Sequence, residues 1–112
     1  MTPWKAKSHD GTPLSCRVAG KGSPLVLIHG AGNNAARWNP VVPLLEQSFS
    51  LYALDRRGRG ESGDAAHYSL QREVEDVVSV VDFIGGPVDV LGHSLGAICA
   101  LEAVLEQRTS ES

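Results

Sequence analysis

Short, continuous hydrophobic runs alternate along this chain with longer stretches in which apolar residues recur at a helical period. The runs at 24–28, 51–54 and 88–91 are each bounded by loop residues. A strand covered by helices on both faces shows no polar side, so these three read as buried parallel strands, with 24–28 central. Residues 14–19 read as a further strand after the turn signal Asp10-Gly11-Thr12-Pro13, with 4–8 paired to it as a hairpin. Alternation of strands and helices after residue 24 predicts an α/β fold, a mostly parallel sheet with helices on both faces.

Three helices are predicted. Ser69 caps one whose apolar residues Leu70, Val74, Val77, Val78, Val81 and Ile84 follow the 3.6-residue period, and Gly85-Gly86-Pro87 ends it. A shorter one runs from Asn39, as cap to Pro40, through Gln47, with Pro43 disturbing its first turn. The last covers 95–107 and is apolar nearly all round, the pattern of a helix destined for burial. No repeat or linker interrupts the 112 residues, so a single domain over 1–112 is expected.

Composition narrows the setting. With 42% hydrophobic and 21% charged residues, the chain should form a core. A formal charge of −3 provides no footprint for nucleic acid. No run approaches the roughly 18 apolar residues of a membrane helix, and the first ten residues lack the apolar stretch of a secretory leader. A cytoplasmic protein without a membrane partner is therefore expected. Cys16 and Cys99 sit in apolar segments far apart, which suits buried free thiols rather than a disulfide or metal clip.

The candidate chemistry lies at Gly92-His93-Ser94-Leu95-Gly96, a G-x-S-x-G pattern placed where a predicted strand meets a predicted helix. A tight strand-to-helix turn needs neighbours without side chains, because Gly92 and Gly96 would otherwise collide across it. The same turn sets Ser94 near a helix amino terminus, where free N–H groups favour developing negative charge. At the end of the first central strand stands His29-Gly30-Ala31-Gly32, and after the next one Asp55-Arg56-Arg57-Gly58-Arg59-Gly60-Glu61-Ser62. All three segments fall at the carboxyl ends of parallel strands, where α/β sheets gather their active sites.

In that order, these segments resemble the H-G-x-G turn, the D-x-R-G-x-G-x-S turn and the nucleophile elbow of the α/β-hydrolase family, and together they cover nearly the whole chain from Leu25 onward. The resemblance implies the amino-terminal half of that fold, equivalent to its first five strands and three helices. It implies a serine hydrolase acting on an ester, thioester, amide or certain carbon–carbon bonds of a small-molecule substrate. Ser94 is then the nucleophile, Ala31 and Leu95 donate backbone N–H groups to the oxyanion hole, and no cofactor or metal is required. Gly30, Gly92 and Gly96 shape the turns, His29 orders its loop through a hydrogen bond, and His93 points away from the substrate side. The Asp55 segment is architectural, with Asp55 and Arg57 able to pair. A serine argues against the epoxide hydrolases and haloalkane dehalogenases of the family, which place a carboxylate there.

Two further readings stand beside this one. Gly58 to Gly63 also fits G-x-G-x-x-G, and its flanking arginines suit a phosphate, but the glycines do not open a helix directly as a dinucleotide fingerprint requires. The other reading is an inactive hydrolase fragment. In the family the acid and the histidine follow the serine, whereas the residues after Ser94 include neither Asp nor His. Glu102 and Glu106 are one helical turn apart, as surface residues are. His67, in a loop after a central strand, reads as a surface histidine. Feeble turnover is expected, and the last strand should present an open edge that favours self-association or a complementing carboxyl-terminal half.

Overall fold

A computed structural model describes residues 2–30, 34–59, 62–63, 69–93 and 95–111. Five strands form one sheet: β1 (Thr2–Lys7), β2 (Pro13–Ala19), β3 (Ser23–Ile28), β4 (Phe49–Asp55) and β5 (Asp89–Gly92), in the order β1-β2-β4-β3-β5. β3 pairs in parallel with both β4 and β5, while β1–β2 and β2–β4 are antiparallel. The sheet is thus mixed, parallel only in the half that carries the candidate site.

Both faces are covered. On one, α2 (Leu70–Ile84) and α3 (Leu95–Glu111) bring Val74, Val77, Val80, Cys99 and Ala103 against Leu14, Cys16, Val26, Ile28 and Leu54. On the other, a 3-10 turn (Ala35–Trp38) and the short α1 (Val42–Leu45) lay Ala35, Trp38 and Val42 on Leu25, Leu27, Leu51 and Ala53. Alternate residues of β3 feed the two cores, which is why that strand is apolar without interruption.

α2 forms as its sequence predicts. The Ser69 side chain accepts from the Arg72 N–H at its start, and Gly85 ends it at φ 78°, a conformation open to glycine. The helix predicted from Asn39 to Gln47 is instead broken in two. The side chain of Asn34 accepts from the Ala36 N–H and caps the 3-10 turn, which Asn39 closes. Pro40, without an N–H, cannot extend that turn, and α1 starts anew with Pro43 in its first turn, where no N–H is required.

The apolar runs of β5 and α3 read as buried elements, and the open edge expected at the last strand overrides that pattern. β5 is the last strand of the sheet, and Leu91 is 43% exposed. α3 buries Cys99, Ala100 and Ala103, yet leaves Ile98, Leu101 and Val104 exposed at 49, 60 and 45%. Nothing among the described residues lies beyond β5 to cover either surface. Both cysteines are buried free thiols, and burial pushes the Cys16 thiol up to about 12 and that of Cys99 to about 11. No described helix is long and apolar enough to cross a membrane.

Candidate active site

β5 ends at Gly92 and α3 begins at Leu95, so the strand turns into the helix within two residues. Ser94 itself, like Ala31, Gly60, Glu61 and His67, lies outside the described residues. The frame around Ser94 is well defined. The His93 N–H donates to the Ile28 carbonyl at 3.0 Å, and the Gly96 N–H donates to the His93 carbonyl at 3.0 Å, closing the turn. A Cβ at Gly92 would overlap the Gly96 carbonyl and stand 2.5 Å from the Ala97 nitrogen. A Cβ at Gly96 would overlap the Ile28 carbonyl and stand 2.7 Å from that of His29. Neither glycine has a positive φ. Both are needed for close approach: the first turn of α3 touches its own strand through one and the end of β3 through the other. The segment containing Ser94 is thereby brought beside the His29-Gly30 turn.

Gly30 is buried, and His29 is wholly inaccessible. Its Nε2 accepts from the Arg56 backbone N–H at 3.0 Å, and its Nδ1 lies 2.8 Å from the Gly30 carbonyl. A backbone N–H only donates, so Nε2 carries no proton and Nδ1–H is the donor to Gly30. Burial is the main cause that lowers the His29 pKa below its usual value. The charges of Arg56 and Arg59 act the same way, against the Gly30 carbonyl and Asp55.

The end of β4 is densely bonded. An Asp55 carboxylate oxygen accepts from the Ala35 N–H at 2.7 Å. Arg56 pairs with Glu73 of α2 at 2.7 Å. Arg57, fully buried, forms two 2.7 Å bonds to the buried Asp76 of α2 and pairs with Asp10 of the hairpin turn at 3.0 Å. The Ser62 hydroxyl accepts from the Ser15 N–H at 2.9 Å and donates to the Asp55 carbonyl. Gly58 makes the turn at φ 71°. The partners of Arg56 and Arg57 are what sequence reasoning missed. One signal was available: Asp76 interrupts the apolar stripe of α2 between Val74 and Val77, and a carboxylate there needs a buried cation.

His93 is exposed and lines a surface pocket of about 360 Å³ with Arg37, Trp38, Pro40 and Val41. Arg37 and Trp38 belong to the 3-10 turn, and no motif marked them. Among the described residues no group of His, Cys, Asp and Glu is arranged to hold a metal ion.

Residues 25–109 match the sequence profile of the alpha/beta hydrolase family. The chain belongs to this family. It is 34% identical over 96 residues to a pimeloyl-(acyl-carrier protein) methyl ester esterase of Photobacterium profundum, a match that spans 84% of the chain and 36% of that enzyme. The crystal structure of an alpha/beta hydrolase from Sphaerobacter thermophilus superposes with a TM-score of 0.86 at 39% identity, covering 92% of this chain and 40% of that one. The epoxide hydrolase CorEH superposes at 0.88 with 31% identity, covering 96% and 38%. This hydrolase-family chain therefore has a partial alpha/beta hydrolase fold and spans between a third and two-fifths of the length of these relatives.

Proposed function

We propose that the chain carries the nucleophile of a serine hydrolase for ester or related acyl bonds. Ser94 Oγ attacks the acyl carbon, and the amides of Ala31 and Leu95 hold the oxyanion as the tetrahedral intermediate forms. The bond to the leaving group then breaks, the leaving group takes a proton, and water releases the acyl group from Ser94. The observation that carries this reading is the glycine packing, in which Gly92 and Gly96 draw the elbow against the end of β3. An esterase among the relatives supports the bond type. The likeness to an epoxide hydrolase does not favour epoxide opening here, since an alcohol at the elbow forms an acyl ester, whereas that chemistry uses a carboxylate.

The base is the weak point of the chain as it stands. His29 has both ring nitrogens engaged, and the residues after Ser94 contain neither Asp nor His. Losing the base of a serine hydrolase costs on the order of a million-fold in rate, and the oxyanion hole and binding retain about a thousand-fold over water. The reading therefore predicts feeble turnover by this polypeptide alone and full activity only with a further segment that supplies acid and histidine. A phosphate-binding role for Gly58 to Gly63 is disfavoured, because Arg56 and Arg57 are already paired with carboxylates. Incubation with a serine-directed phosphonate, followed by mass spectrometry, should place the adduct on Ser94 and none on the Ser94→Ala chain. An adduct confined to other residues would remove the reading.

A further inference from the structure

The segment between His29 and Ala35 contains Ala31, and two consecutive residues at the carboxyl end of β4 grip it at both ends. At its start, the Arg56 N–H donates to His29 Nε2 at 3.0 Å, and His29 Nδ1–H turns back to the Gly30 carbonyl at 2.8 Å. At its finish, the Ala35 N–H donates to an Asp55 carboxylate oxygen at 2.7 Å. All three of these contacts are buried. Arg56 is itself anchored, since its side chain is paired with Glu73 on α2 at 2.7 Å.

We infer that His29, as the neutral Nδ1–H tautomer, and Asp55 are positioning residues that clamp the turn bearing Ala31 to the end of β4. This rests on the reading of Ala31 as an oxyanion donor. The physical requirement is rigidity: an oxyanion donor helps only if its N–H already points where charge will develop. The described ends of the segment, His29 and Ala35, are bonded to adjacent positions at the end of β4. The clamp also has a set proton state. Protonating Nε2 would turn an acceptor toward a donor and add a buried cation beside Arg56 and Arg59, offset in part by the Gly30 carbonyl and Asp55. The His29 end is therefore intact near neutral pH and lost as pH falls through the lowered pKa of this imidazole.

Nuclear magnetic resonance of the ¹⁵N-labelled chain reads the bond without any substitution. A scalar coupling across the hydrogen bond between the Arg56 amide nitrogen and His29 Nε2 is expected at neutral pH and should vanish on acidification. A protonated Nε2 at neutral pH, or no coupling, overturns the inference. Variants separate positioning from folding. Gln places an oxygen near the Nε2 position and Asn does not, so His29→Gln should keep the Arg56 amide protected from hydrogen exchange while His29→Asn exposes it. Asp55→Ala should expose the Ala35 amide. Both His29→Asn and Asp55→Ala should slow phosphonate labelling of Ser94 about tenfold or more, with His29→Gln close to the parent. Unchanged labelling in folded His29→Asn overturns positioning. No labelling of the parent chain would instead remove the hydrolase reading, and the coupling still decides the clamp.

Discussion

The sheet has two edges, and they are built to different rules. β1 closes one side with Lys5 and Lys7 among its exposed residues, while Trp4 stacks edge-on to Tyr52 at 5.2 Å and to Phe83 at 6.4 Å. Charged side chains on an outer strand discourage pairing with another chain. β5 closes the other side with only four residues and carries Leu91 exposed; the adjoining α3 adds Ile98, Leu101 and Val104. That side has the apolar make-up of an interior element without interior neighbours. An edge strand is therefore recognised by its side chains as well as by its place in the order.

The largest effect expected of any substitution is at the polar centre between these edges. Arg57→Ala strands the buried Asp76 without its cation, which should cost about 3–5 kcal/mol and leave little folded chain in urea denaturation. Next comes Leu54→Ala, which empties part of the main core; a loss of about 2–5 kcal/mol is expected by the same measurement. At the β5 side the outcome should invert: Leu101→Lys should change stability by no more than about 0.5 kcal/mol while reducing self-association in sedimentation velocity. A parent chain that stays monomeric at high concentration would abolish the contrast between the edges. The smallest effect concerns acid. Arg57 holds the Asp10 carboxyl well below the usual carboxylate range, so that pair keeps its contribution above about pH 4 and loses it only at lower pH. His29 acts first, because an unfolded imidazole begins to take up a proton below about pH 6.5 while the buried ring resists it, and that contribution is lost as pH falls toward its lowered pKa. His29→Gln should remove the earlier part of the acid unfolding curve and leave the later part.

What the sequence disclosed follows the range of the forces involved. α2 was legible because its cap, its period and its glycine stop are all local, as were the three parallel strands and the turn between Gly92 and Gly96. The connection after β3 was misread because Asn34 outcompetes Asn39 as a cap, a choice between two similar local signals. The partners of Arg57 were not legible at all, since Asp10 and Asp76 lie 47 and 19 residues away in sequence. The exposure of β5 followed from the open edge expected there, whereas the apolar side chains of β5 and α3 taken by themselves read as buried. The close approach of Gly92 and Gly96 could be inferred from spacing, while the bonds of His29 and Ala35 to Arg56 and Asp55 required three dimensions.

The two thiols make the chain its own reporter. Each is too deeply enclosed, and too fully protonated, for an alkylating reagent to reach it in the closed state. Cys99 lies on the buried face of α3, whose outer flank is bare, and Cys16 sits in β2 between β1 and β4. Modification of Cys99 should therefore outpace that of Cys16 whenever the helix lifts while the strands stay zipped. The ratio of the two rates would tell peeling of one element from melting of the whole.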